Sequence, residues 1–294
     1  MKKIILAVLT LCACLTLTGC AHEHTPESMW SVGLDGHWHA CQKCDEQMDF
    51  APHAFDEDGT CTVCTAGFYD TQEGTKEAKA FDDHGALVLH IQYDADGNVL
   101  SDDRYAYEYD SSGVVKNQKY YIDRVLAHED VYLPRTDSQT GETYKAESID
   151  YYTGIYTVKS EFSEEGLLML TTTYDANGKI FSIDRYEYEF DADGNRTKLS
   201  IYTNDTLNRV YDDVANKLYD YDANGLIRTE RAYVYDADGK LVKEMVYVYG
   251  KLDLENYYTV SDDGVRYVYK MVFYDEDGNV EKESQFDENG KEIK

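Results

Sequence analysis

Basic residues are scarce in this 294-residue chain: 28 lysines and arginines face 57 aspartates and glutamates, a formal charge of −29. So negative a surface repels phosphate backbones and anionic headgroups, which excludes nucleic-acid binding through a basic face. Proline is almost missing, at 3 residues. With 43% hydrophobic residues, the chain is neither a disordered segment nor a proline-rich stalk. No apolar run is long enough for a membrane-spanning helix. Beyond residue 90 the sole histidine is His128. Catalytic signatures are missing as well: there is no Gly-x-Ser-x-Gly, no Walker-type phosphate loop and no His-Glu-x-x-His. Carboxylate pairs at glycosidase spacing arise by chance among 57 acids and identify nothing. The sequence therefore nominates no catalytic residue. What it has in plenty is tyrosine, 28 copies, beside 20 glycines.

Lys2 and Lys3 precede an uncharged apolar run from Ile4 to Leu17, too short for a permanent span and shaped like a secretory signal. It ends in Leu17-Thr18-Gly19-Cys20. This segment resembles the lipobox of bacterial lipoproteins. The resemblance implies cleavage after residue 19, diacylation of Cys20 with palmitate-type chains, and a place on the extracytoplasmic face of a bacterial cell membrane. Two acyl chains suffice for stable anchoring. Residues 20–30, including Ala21-His22-Glu23-His24, read as a short tether.

Beyond Cys20, four cysteines fall in two pairs, Cys41-x-x-Cys44 and Cys61-x-x-Cys64, with His37 and His39 upstream and His53 between the pairs. A two-residue gap lets both thiolates of a knuckle reach one ion, and two knuckles complete a tetrahedral zinc shell. Residues 31–68 thus resemble a small zinc ribbon, which implies Cys41, Cys44, Cys61 and Cys64 as the ligands of one structural zinc. His37 and His39 are the candidates for replacing a cysteine. Asp45 and Thr65 stand where a knuckle commonly has glycine. Two disulfides are the competing reading in an oxidising compartment. No strand-helix context surrounds either pair, which argues against thioredoxin-like redox chemistry.

Residues 69–294 carry a recurring unit: an aromatic, usually an acid, two small or polar residues, then glycine. Examples are Tyr93-Asp-Ala-Asp-Gly97, Tyr174-Asp-Ala-Asn-Gly178 and Tyr274-Asp-Glu-Asp-Gly278. As a hairpin turn, the acid accepts backbone N–H bonds and glycine takes the positive φ. Residues 81–123 and 162–204 also align at an offset of 81, with 17 identities in 43 positions. The expected fold is all-β: repeated antiparallel hairpins in an extended sheet or shallow solenoid. Only residues 124–131 and 205–218 suggest helix, and 134–148 read as an exposed connection. The units resemble YD-type repeats of bacterial cell-surface proteins, including wall-associated and Rhs-like families, which implies an extracellular β-repeat module. Asp94-x-Asp96-Gly97-Asn98 lacks the position-12 glutamate and the helices of a calcium loop, and reads as a plain turn.

Period-two tyrosines mark the strand faces: Tyr105, Tyr107 and Tyr109, then Tyr186 and Tyr188, with Tyr267 and Tyr269 later. Tyrosine suits a half-wet face, because its ring buries area while its hydroxyl reaches water. The expected function is a membrane-anchored surface lipoprotein whose tyrosine face binds a glycan or protein partner. An extracytoplasmic hydrolase and a structural envelope protein are the alternatives. Asp103-Arg104 and its copy Asp184-Arg185 read as cross-strand ion pairs repeated for packing.

Overall fold

The computed structural model describes residues 22–44, 46–71, 74–135, 142–261 and 263–293. The signal-like segment and Cys20 lie outside them. Every regular element described is a β-strand. Three strands, β1 (Pro26–Val32), β2 (Gly36–Cys41) and β3 (Gln47–Pro52), form a small antiparallel sheet. Residues 26–30, read as tether, are thus the start of a paired strand. Gly36 sits where β2 and β3 close up: a Cβ there would lie 2.4 Å from the Ala51 carbonyl oxygen.

Nineteen further strands follow one another in chain order as one antiparallel hairpin sheet. The first are β4 (Ala66–Asp70), β5 (Lys76–Phe81), β6 (Leu87–Tyr93), β7 (Val99–Tyr109), β8 (Val115–Ile122) and β9 (Val125–Pro134). Next come β10 (Thr143–Tyr152), β11 (Tyr156–Phe162), β12 (Leu168–Asp175), β13 (Ile180–Phe190), β14 (Arg196–Thr203), β15 (Thr206–Asp212) and β16 (Lys217–Tyr221). The series ends with β17 (Ile227–Tyr235), β18 (Leu241–Val248), β19 (Lys251–Val260), β20 (Arg266–Tyr274), β21 (Val280–Phe286) and β22 (Glu292–Ile293). Among the described residues β22 pairs with β21.

The repeated unit is the hairpin turn. All eleven of its glycines, the one in the degenerate Val260–Gly264 copy included, have φ between 75° and 87°. In one copy the Asp94 carboxylate accepts the N–H groups of Asp96 and Asn98 at 2.9 and 2.8 Å, while Gly97 N–H donates to the Asp94 carbonyl. This is the three-residue connection with glycine in the left-handed bulge position. The aromatic before the acid faces the residue six positions on, as in Tyr93 opposite Val99 and Tyr174 opposite Ile180. A second turn type joins β14 to β15, where Asn204 and Asp205 both have positive φ (48° and 64°), the two-residue hairpin that matches strand twist. Residues 205–218 are therefore strand and turn, not helix, and 125–131 belong to β9. Residues 143–148 belong to β10, with Ala146 and Ser148 buried, and not to an exposed connection.

The chain divides into two compact units: Met1–Tyr107 with Lys119–Leu126, and Glu108–Gln118 with Ala127–Lys294. In the first, β4 to β6 present Ala66, Ala78, Ala80, Leu89, Ile91 and Tyr93 to Val32, Cys61 and Cys64. Alanines along β5 leave room for the cysteine loop. Each large aliphatic side chain buried here contributes about 1.5–3 kcal/mol. Tyr93 donates its hydroxyl to the Val32 carbonyl at 2.9 Å, tying β6 to β1. The second unit is built otherwise. Its buried positions include apolar residues, among them Leu199, Val210, Leu218, Val246 and Val272, and polar ones such as Asp130, Thr172, Ser200, Asp220, Glu244 and Ser284.

Candidate metal centres and an aromatic cleft

The four cysteines do not converge on one point. They form two Cys2His2 groups, each with its four ligand atoms within 4.8 Å of one another: His22, His24, Cys41 and Cys44, and His37, His53, Cys61 and Cys64. None of these four cysteines forms a disulfide among the described residues. The single four-cysteine centre is thereby corrected, for a topological reason. Cys41 ends β2 opposite Pro26 of β1, which draws the residues before β1 to the first knuckle. The second knuckle instead lies against the face of β4 to β6, among the buried apolar residues. Each pair of thiols meets the histidines nearest its own position.

In the second group His37 is 1% and Cys61 0% exposed. His37 Nδ1 lies 3.8 Å from Cys61 Sγ, and His53 Nδ1 lies 3.6 Å from Cys64 Sγ. Bond lengths of about 2.3 Å to sulfur and 2.0–2.1 Å to nitrogen in a tetrahedral zinc site imply N···S edges of about 3.5 Å. The other ring nitrogen of His53, Nε2, is 2.8 Å from the Gly33 carbonyl oxygen. A carbonyl only accepts, so Nε2 carries the proton and Nδ1 keeps its lone pair for a metal. Cys61 is lowered to about 6: burial opposes this, but the backbone N–H groups of Cys64 and Val63 and the His53 ring prevail. Cys64 is raised to about 11, first by burial and then by its neighbour Cys61. One thiolate forms readily, and a bound cation would supply the charge that ionises the second. Thr65, in the place of the knuckle glycine, has φ +57°. The turn is thus the ordinary one, with a β-branched residue held in the left-handed region.

The first group is less buried. His22 Nε2 lies 3.3 Å from Cys41 Sγ and His24 Nδ1 3.5 Å from Cys44 Sγ. Cys41 is lowered to about 5, chiefly by the Lys43 backbone N–H and then by His22. His39 belongs to neither group. Its ring stacks on Trp30 at 3.8 Å, and its Nδ1 is buried without a partner. His22, His24 and His53 were missed as ligands, although a signal existed: five of the eight histidines fall within residues 22–53, alongside all four knuckle cysteines.

Tyr105, Tyr107, Tyr109, Tyr186 and Tyr188 are all half-buried, neither sealed nor fully open. Tyr105 stacks on Tyr120 at 5.0 Å, and Tyr188 donates to the Leu168 carbonyl. In the second unit, a cleft of about 710 Å³ lies across β17 to β22, its wall including Tyr257, Tyr267, Tyr269, Lys243, Thr259 and Gln285. Lys243 is paired with Glu255 at 2.7 Å and Lys270 with Glu283 at 2.9 Å, and both ammonium groups lie over the Tyr257 ring. The cleft is aromatic, with its nearby charges neutralised in pairs.

A Ser-His-Asp alignment also occurs. His128 Nδ1 is 2.7 Å from Asp150 and its Nε2 is 3.4 Å from the Ser148 hydroxyl. Asp130 lies closer to the same Nε2, at 3.0 Å, so a carboxylate and not the Ser148 hydroxyl is the nearest partner of that nitrogen, and the serine–imidazole bond of a triad is not made. The cluster clamps β9 to β10.

A family model for a MORN repeat variant matches residues 270–288, the β20–β21 hairpin. Among solved structures the chain is similar to the Tc holotoxin pore of Photorhabdus luminescens, at 13% identity over 88% of this chain and 15% of that one, with a TM-score of 0.29. It is similar to the TcdB2–TccC3 complex at 13% identity, 88% and 16% coverage and a TM-score of 0.30. A porin-like protein from Bacteroides uniformis is 7% identical over 76% of this chain and 88% of that one, with a TM-score of 0.30. The chain spans about a sixth of the toxin chains. The comparison with curated proteins found no match.

Proposed function

We propose that this chain is a surface lipoprotein, anchored through acylated Cys20 on the extracytoplasmic face of a bacterial cell membrane, that binds a neutral glycan. Its head holds zinc, and its hairpin sheet presents the binding surface. The cleft of about 710 Å³ with Tyr257, Tyr267 and Tyr269 in its wall carries the reading. Tyrosine faces stack on sugar rings, and Thr259 and Gln285 offer hydrogen bonds to ring hydroxyls. The paired lysines leave no uncompensated positive charge there to attract an anion, and the acidic chain favours neutral or cationic partners. The Cys2His2 groups support zinc in preference to a hard cation, because thiolate and imidazole donors suit it. Four protein ligands close the shell, which supports a structural and not a hydrolytic metal.

Cosedimentation with chitin, an insoluble neutral glycan, tests the binding. The wild type should pellet with the glycan, and the Tyr267→Ala/Tyr269→Ala variant should lose at least about tenfold in retention, the order of two lost ring contacts. Equal pelleting of the two proteins would remove the cleft from the account. Labelling with a palmitate analogue should mark the wild type and spare Cys20→Ala.

A further inference from the structure

The two Cys2His2 groups stand in different surroundings. The second is enclosed by the apolar cluster of the first unit: Cys61 and Cys64 belong to that cluster, and His37 meets the Trp30 ring edge-on at 4.7 Å. The first binds a stretch of chain that has little else to hold it. Residues 22–25 have no regular structure and precede β1. Outside the cluster, two bonds from Gln42 fix the entry to β1: its backbone N–H donates to the Thr25 carbonyl at 2.9 Å, and its side-chain amide to the Pro26 carbonyl at 3.1 Å. His22 and His24 are half-buried while Glu23 between them is exposed. Both rings therefore turn to the same side in an extended segment, and they lie 5.0 Å apart.

We infer that His22, His24, Cys41 and Cys44 form a second zinc site, and that its ion clamps the leading segment to the knuckle without being needed for the fold of the head. The ligand edges of 3.3 and 3.5 Å match a zinc tetrahedron as closely as those of the buried site. Removing this ion opens a short local loop. Removing the buried one opens the apolar cluster. Three of its four ligands are only half-buried, against one, His53, in the other group, which makes it the more exchangeable of the two. Because His22 lies two residues from Cys20, occupancy fixes the chain where the lipid would be attached, so zinc would set how closely the head is held to a membrane. That last consequence rests on the anchoring proposed above; the metal site itself does not.

The test is elemental analysis of the full chain, purified without chelator, together with limited proteolysis. The wild type should carry two zinc ions. His22→Ala/His24→Ala and, separately, Cys44→Ala should each carry one, with residues 22–26 becoming protease-sensitive while 53–93 stay protected. A wild type with one ion, or a His22→Ala/His24→Ala variant that keeps two, overturns the second site. Loss of protection across 53–93 in these variants overturns the division of roles. Palmitate labelling reports separately on the anchor, and its failure would leave the metal count unaffected.

Discussion

Arg104 and Arg185 occupy the same place in the two copies of one repeat, yet they live differently. Arg104 is 2% exposed. It binds Asp102 with two parallel bonds of 2.7 and 2.9 Å and donates to the Trp30 carbonyl at 2.5 Å, in the unit that has an apolar cluster. Arg185 is half-exposed, paired with Glu187 and lying over the Tyr202 ring at 4.3 Å. The acids before them diverge too: Asp103 accepts from Tyr120, and Asp184 from Thr203. A duplicated strand thus keeps its register and turns while its surroundings decide whether a charge is structural. In the first unit, packing onto the Cys/His head has converted a surface arginine into a buried tie between β7 and β1. In the second, the strands support one another sideways.

This contrast can be broken most severely at the buried metal group. Cys61→Ala should forfeit most of the zinc contribution, on the order of 10 kcal/mol, and unfold the head. The hairpins of the second unit should keep their strand signal in far-ultraviolet circular dichroism. A single transition lost as a whole would show that the two units are not separately held. Next come the two arginines. Arg104→Ala leaves the buried Asp102 with only the longer pair to Arg124, at 3.5 Å, and should cost about 3 kcal/mol in denaturant unfolding. Arg185→Ala should cost less than about 1 kcal/mol. Equal costs would mean that burial does not separate the copies.

What could be read in advance was local. The Asp-x-x-Gly turns are encoded by four adjacent residues, so their positions followed from hydrogen-bond chemistry alone, and strand order followed from the turns. Turns without glycine were harder. Asn204-Asp205 and Asp123-Arg124 take positive φ at both corners, and without that signal the flanking stretches resembled short helices. The ligand grouping was not legible, because it depends on the pairing of β1 with β2 and on the packing of the second knuckle against β4 to β6. Spacing within each knuckle says that two thiols share an ion, and says nothing of which histidines complete it. The burial of Arg104 was hidden for the same reason: its partner Trp30 is 74 residues away.

Smaller effects sharpen the comparison. The turn carboxylates Asp191, Asp222 and Asp275 are held below the usual aspartate range, first by backbone N–H donors from Asn195, Leu226 and Asn279. A depressed folded value gives stability that is present above the unfolded pKa near 3.9 and is lost as pH falls through the folded value. The second unit should therefore weaken below about pH 4, and Asp222→Asn/Asp275→Asn should flatten that dependence in an acid titration. A steep loss already at pH 6 would point to other groups. In the first unit, Thr65→Gly relieves a left-handed threonine worth about 1–2 kcal/mol, offset by about 0.5–1 kcal/mol of added chain entropy. The head should gain about 0.5 kcal/mol by the same terms, measured as a higher midpoint for its transition.

The central claim is that a metal-held head and a self-supporting hairpin sheet coexist in one chain. Hydrogen exchange read by mass spectrometry, with and without a strong zinc chelator, tests it most directly. Chelation should accelerate exchange across residues 26–104 while residues 143–286 keep their protection. Acceleration spread evenly over both stretches, or absent from both, would contradict it.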